Sequence, residues 1–426
     1  MGRRPAPVYP AAGLARDVRG RPARMPVAAD GHEVVTWRSY VSCMWIWRCK
    51  TAWPSVVVPQ PGGAPCAGAS NQHPDRFTAA GGLSLMVGML VCVLLPAALA
   101  AQPISRIAFG SCLKQDRPQP IWNAIVEARP DIFLFAGDNV YADTTDAAVM
   151  SAAYQKLGNQ PGFQRLRALC PVHATWDDHD YGRNDAGADY PMRVQSKQIF
   201  MEFFELPPDA PMRARPGIYA SYSYGPAGNR VQLILLDTRS FRSPLKAAAL
   251  TASCPKVHYV RNDDPAATLL GEDQWSWLEQ QLAQPAQLRI IVSSIQVIPD
   301  QHCFEKWDNL PHERTRLFEL IAKTGAQGVV LISGDRHFAE ISRFEGHDLD
   351  YPLYEVTASG LNAAGAGRGE KNRFRLSTEN FRADNFGLIL VDWSLSDPLV
   401  RLQIRDAAGN TAAEHRLNLS ELQPGR

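Results

Sequence analysis

No charge of one sign dominates this chain. Lys and Arg number 44 against 43 Asp and Glu over 426 residues, a formal charge of +1, so no long-range field marks nucleic acid as the main partner. Charged residues are only 20% against 45% hydrophobic, which excludes disorder throughout. No internal repeat is present, so the fold is not a solenoid or an array. Long hydrophobic runs are also lacking, with one exception near residue 90.

That run, Leu83 to Ala101, is apolar apart from Ser84, has Arg76 upstream and closes on Ala98-Leu99-Ala100. Such an h-region with a small-x-small end predicts a secretory signal over residues 83–100, cleaved before Ala101. An uncleaved anchor is the alternative, because roughly 19 residues can just span a bilayer; Pro96 and the Ala-rich tail favour cleavage. Residues 1–82 hold ten Lys and Arg against four Asp and Glu, leaving 34 against 39 in the remainder. They show neither period-2 nor period-3.6 patterning and are read as a non-folded leader or an over-long gene start. The expectation is an exported protein, periplasmic or secreted, whose folded domain is 101–426 and which meets a membrane only if the signal is uncleaved. Of the eight cysteines, Cys112, Cys170, Cys254 and Cys303 lie in that domain. In an oxidising compartment Cys254 and Cys303, both in loop-like segments, are candidates to pair.

Short apolar runs alternate with helical stretches along the domain. Strands are predicted at Arg106–Phe109, Asp131–Ala136, Val172–Trp176, Val231–Leu236, Ile290–Ser293 and Val329–Ile332, and helices at Pro120–Ala128, Asp189–Phe204, Gly271–Ala283 and His312–Thr324. Buried strands alternating with helices indicate an α/β fold with layered sheets. Leu353–Thr357, Gly387–Trp393, Val400–Arg405 and His415–Leu419 are expected as antiparallel strands finishing a sheet. The Gly/Ala-rich stretch Ser359–Gly369 reads as a loop at the rim of the chemistry.

Strand after strand ends in a ligand-type residue: Gly110-Ser111-Cys112, Gly137-Asp138-Asn139-Val140-Tyr141-Ala142-Asp143, Asp177-Asp178-His179-Asp180 and Gly334-Asp335-Arg336-His337. In an α/β sheet the carboxyl ends of strands share one edge, so these loops converge on one crevice. Each has a plain reading alone: an Asx turn at Asp138, a buried apolar thiol at Cys112, surface residues at Asp335 and His337. Three carboxylates around His179, however, repel one another unless a cation is present, and four coincident strand ends call for a common cause. Ser111 lacks the Gly-x-Ser-x-Gly elbow of a serine hydrolase.

Phe109–Cys112, Gly137–Asp143, Trp176–Asp185, Leu235–Arg242, Ser333–Glu340 and the late Asn385-Phe386-Gly387, in that order, resemble the PhoD-like (alkaline phosphatase D type) branch of the metallophosphatases. The resemblance implies a four-layer αββα sandwich with a dinuclear or multinuclear metal centre at the strand ends. It implies Cys112, Asp138, Tyr141, Asp178, Asp335 and His337 as metal ligands, Asp138 bridging. His179 falls at the catalytic histidine, with Asp180 or a neighbouring carboxylate orienting it and Arg336, or Arg239, facing the substrate. Asn139, Asp143 and Asn184 are further metal or phosphate contacts, and Gln296 sits where another metal-binding histidine is expected. Thiolate, phenolate and bridging carboxylate suit Fe(III), and the carboxylate-rich side suits Ca(II), with other divalent ions as alternatives. The function expected is hydrolysis of phosphate mono- or diesters, a metal-bound hydroxide attacking phosphorus and His179 acting as general acid. A non-catalytic phosphate- or phospholipid-binding protein and a phospholipase-type phosphodiesterase are the alternatives.

Overall fold

A computed structural model describes residues 103–346 and 349–424; the leader and the signal-type run lie outside the described residues. Along the chain come β1 (Arg106–Gly110), α1 (Ile121–Glu127), β2 (Ile132–Ala136), α2 (Ala147–Gly158), α3 (Pro161–Leu169), β3 (Val172–Thr175), α4 (Asp178–Tyr181), α5 (Arg193–Phe203) and α6 (Pro211–Ala214). Then follow β4 (Ala220–Tyr224), β5 (Val231–Leu235), the two-residue strands β6 (Lys246–Ala247) and β7 (Tyr259–Val260), α7 (Gly271–Leu282), β8 (Leu288–Val292), α8 (Pro311–Thr324) and β9 (Val329–Ser333). The chain continues through β10 (Ala339–Phe344), β11 (Leu353–Ala358), β12 (Asn385–Asp392), β13 (Leu399–Asp406) and β14 (Thr411–Asn418).

The strands form two six-stranded sheets, ordered β14-β13-β12-β1-β2-β3 and β10-β11-β9-β8-β5-β4. β1, β2 and β3 run parallel in the first, and β5, β8, β9 and β11 in the second. The alternation within β2 shows why the sheets stack. Ile132, Leu134 and Ala136 join the core that holds the second sheet's Leu233 and Ile290, whereas Phe133 and Phe135 join a second core with the helices. Trp122 of α1 packs edge-on against Phe133 at 5.7 Å between ring centroids. A strand buried on both faces needs a layer on each side, and the outcome is the expected αββα sandwich. Among the described residues no helix is long and apolar enough to cross a membrane.

Two expectations are corrected. Leu353–Ala358 is antiparallel to β10 but parallel to β9, deep in the second sheet, so only β12, β13 and β14 extend the first sheet in antiparallel fashion. The helix expected from Asp189 starts at Arg193, since Pro191 restrains the residue before it from the helical region. Cys254 and Cys303 form a disulfide with 5.6 Å between Cα atoms. Trp275, Trp307 and Tyr351 are buried in the core.

Candidate metal centre

Close turns are forced where the strands stop. A Cβ on Gly137, whose φ is 92°, would lie 2.5 Å from the Asp177 Cβ. One on Gly334 would lie 2.5 Å from Ser111 Oγ and 2.6 Å from the Ala136 carbonyl oxygen. Glycine therefore lets the ends of β1, β2, β3 and β9 press together. Beyond these points Cys112, Asp138, Asp143, Asp185, Asp335 and His337 adopt positive φ between 46° and 69°. Each such residue with a Cβ costs about 1–2 kcal/mol. Six of the eight non-glycine residues with positive φ among the described residues lie in these loops, so the strain gathers where the donors are.

The first donor set is built on Asp138. Its Oδ2 lies 3.3 Å from Cys112 Sγ and accepts from Tyr141 Oη at 3.0 Å. Tyr141 Oη is also 3.2 Å from His337 Nε2. His337 Nδ1 is 2.6 Å from the Ala363 carbonyl, which only accepts. The proton is thus on Nδ1, and the Nε2 lone pair faces the cluster. Ser359 Oγ sits 3.0 Å from Cys112 Sγ and accepts from the His337 backbone N–H at 2.8 Å, fastening the loop after β9 to the loop after β1. Donor atoms of Cys112, Asp138 and His337 lie within 4.8 Å of one another, as do those of Asp138, Asp178 and His179, and those of Asp177, Asp178 and Asp335. Asp138 belongs to the first two groups and Asp178 to the last two, so the three are continuous.

The electrostatics of this cluster are those of crowded, buried acids. Burial, with the Asp138 charge beside it, pushes the Cys112 thiol well above its ordinary value, and the same two causes raise Tyr141. Burial likewise lifts Asp138 against the pull of His179, and Asp335 against that of Arg336. For Asp178 burial acts upward too, yet His179, Arg239 and the Asp185 N–H hold it below the usual carboxylate range. Burial draws His179 down, but Asp138, Asp178 and Asp143 outweigh it and lift the imidazole to about 11. Asp138 Oδ1, Asn139 Oδ1 and Asp177 Oδ2 are buried without a hydrogen-bond partner. These residues fit a multinuclear metal centre: orphaned acceptors converge, and cations would favour the anionic donor forms that burial disfavours.

Around the donors, the residues expected from sequence take several places. His179 Nδ1 pairs with Asp143 Oδ1 and Oδ2 at 2.7 and 2.8 Å, and its ring lies 4.2 Å from that of Tyr141, tilted by 32°. The orienting carboxylate is thus Asp143. Asp180 is corrected: its oxygens accept from the backbone N–H of Asp177 and Asp138, from Asn139 Nδ2 and from Tyr154 Oη, which caps α4 and fixes the Asp138 turn. Asn139 is anchored further through Nδ2 to the Thr175 carbonyl. Asn184 is exposed, its N–H donating to Asp143 at 3.1 Å. Gln296 lies apart from the donor groups, its Nε2 donating to Glu340 and Thr357 at 2.9 Å. Arg336 is buried, bound to Glu370 at 2.6 Å and lying 4.1 Å over the Phe304 ring. Arg239 is structural, linking Asp177 to Glu305 with no exposure on any of the three side chains beyond 1%. Sequence reasoning missed Asp177 as a donor, Ser359, and Lys114, whose Nζ stands 4.5 Å over the Tyr141 ring. Only Asp177 left a signal, inside the Asp177–Asp180 run.

Two stacked mixed sheets whose parallel strands end on such a donor cluster define the metallophosphatase class. The PhoD-like phosphatase family matches residues 107–392, and the chain belongs to that family. Alkaline phosphatase D of Bacillus subtilis (strain 168) is 23% identical over 284 residues, 57% of this chain and 47% of the relative; the chain thus spans about half of that relative's length. A solved structure of PhoD superposes with a TM-score of 0.57 at 17% identity, covering 74% of this chain and 69% of that one, which shows the shared fold. GAP50, the anchor in the inner membrane complex of Plasmodium, matches with a TM-score of 0.49 at 14% identity, covering 74% and 89% of the two chains.

Proposed function

We propose that this chain is an exported, metal-dependent phosphoric ester hydrolase acting on phosphate mono- or diesters. The observation that carries the reading is the continuous donor set on Asp138 and Asp178 with the His179–Asp143 pair beside it. Cys112, Asp138, Tyr141 and His337 would hold Fe(III), and the carboxylates of Asp178, Asp335 and Asp177 would hold Ca(II). Bound there, the metals would polarise the phosphoryl oxygens and activate the attacking water. The chain's own part is the leaving group. Asp143 holds the proton on His179 Nδ1, so Nε2–H is the group that delivers a proton to the departing oxygen. The tilted ring contact with Tyr141 and the Asp143 pair hold the imidazole in place. Asp143 lies outside the donor groups, so its support of the imidazolium persists when the other carboxylates are neutralised. The Leu83–Ala101 run supports export, and the Cys254–Cys303 disulfide suits an oxidising compartment.

The test is ester hydrolysis by protein beginning at Ala101, with monoester and diester substrates, before and after chelation and with Fe and Ca restored. Chelator-sensitive turnover is expected, and the faster ester names the subclass. No turnover by metal-loaded protein on either ester would turn the reading to phosphate binding without catalysis. His179→Ala is expected to retain metal while losing rate by on the order of 10² to 10⁴.

A further inference from the structure

Between β11 and β12 the chain makes a long excursion that folds back on β10. It is pinned there by backbone pairs: Ala339 N–H to the Phe381 carbonyl and the reverse, Arg343 N–H to the Phe374 carbonyl, and Leu376 N–H to the Ile341 carbonyl. The excursion walls a pocket of about 570 Å³ whose lining carries five cationic side chains, Arg368, Lys371, Arg373, Arg375 and Arg382, against Glu370 and Glu379. Much of this charge is already matched. Arg373 pairs with Asp300, Arg375 with Glu340, and Glu370 with Arg336. Arg368, Lys371 and Arg382 form no ion pair among the described residues, leaving three cations facing one acid, Glu379.

The pocket adjoins the metal centre through its own wall. Glu370 is 2.6 Å from Arg336 Nη2, and Arg336 Nη1 is 3.6 Å from Asp335 Oδ2. The same excursion begins by donating Gly365 and Ala366 N–H to the His337 carbonyl. A centre made of acids thus has, one guanidinium away, a concave surface with unmatched positive charge. A phosphate fits such a surface because two or more arginine and lysine donors can reach its oxygens at once.

We propose that this pocket is a second phosphate site: it takes a phosphate carried on the alcohol portion of the ester being cleaved, which makes bisphosphorylated compounds the preferred substrates. The inference rests on the hydrolase reading above, and its test separates the two. Glucose 1,6-bisphosphate and glucose 1-phosphate are compared as substrates of the metal-loaded protein and of its R368A/K371A and R368E/K371E variants, all at exposed positions. For the bisphosphate, kcat/KM is expected to fall about tenfold to hundredfold in the variants, while the monophosphate changes less than about twofold. Equal losses on both sugars, or no loss on either, would overturn the proposal. Calorimetric titration of the metal-free protein with inorganic tripolyphosphate reads the pocket without turnover. Weakening by about tenfold in R368E/K371E supports the site even if no ester is hydrolysed, and unchanged affinity overturns it even if hydrolysis is confirmed.

Discussion

Asp143→Asn isolates the role of the His179–Asp143 pair. Asparagine keeps the size and an oxygen for Nδ1–H but removes the charge. Two charges at hydrogen-bond distance are worth several kcal/mol in a protein-like medium. The Asp143 side chain is 44% exposed, and solvent screening reduces that to about 1 kcal/mol, or a little under one pH unit of the imidazolium. With His179 as the proposed acid, activity would be present while it is protonated and lost as pH rises through its pKa. Removing Asp143's charge lowers that pKa, and the basic limb of the pH-rate profile should move about half to one unit toward acid. The assay is initial rate against pH with two leaving groups. Ethyl phosphate needs a proton on its departing oxygen and should lose about tenfold to hundredfold, whereas 4-nitrophenyl phosphate, whose phenolate leaves unaided, should lose less than about threefold. Equal losses on both, an unmoved basic limb, or loss of metal from the variant would refute the reasoning.

Asp138→Asn should strip the centre as well as stop turnover, because Asp138 joins two donor groups; full metal content by mass spectrometry would refute the bridging role. His173, stacked on Tyr222 at 3.7 Å, is held by burial at about 4. Its depressed value means stability present above pH 6.5 and lost as pH falls toward 4, by up to about 3 kcal/mol. His173→Gln should therefore narrow the gap between melting temperatures at pH 7 and pH 4.5, and an unchanged gap would refute the assignment. Replacing Cys254 and Cys303 by serine reopens a loop with 49 residues of separation and should cost about 2–4 kcal/mol in urea unfolding; a loss below about 1 kcal/mol would show that the unfolded chain is not restrained by this link.

The strands that end on donors were legible in the sequence because a strand buried on both faces is a continuous apolar run, and the polar residue that stops it stands out. Cys112, Asp138, Asp178, Asp335 and His337 were found that way. What escaped depended on distance along the chain. Asp180 is adjacent to His179 in sequence, but α4 is a single turn that points its carboxylate back at the Asp138 loop, while Asp143 arrives from 36 residues away. Ser359 follows β11, and its role appears only once β11 lies beside β9 and the Ser111 N–H bonds to the Ala358 carbonyl. The direction of β11 was not legible either, since apolar periodicity is the same for parallel and antiparallel neighbours. Gln296 shows the converse: its position in the chain matched a ligand, but Glu340 and Thr357 hold it in a separate polar network.

The donors come from both sheets: Cys112, Asp138 and Asp178 follow strands of the first, and Asp335 and His337 follow β9 of the second. An ion gripped by both sets would be a rivet between two layers that otherwise meet through apolar contact. Tyr141 and His337, 196 positions apart, must be brought together before the rivet has a hole to fill, so metal uptake would follow the docking of the two sheets. Its grip then counts toward the whole fold, about 4 kcal/mol when free metal exceeds the dissociation constant a thousandfold. Metal supply in the surroundings would thus set how long the protein survives as well as how fast it works.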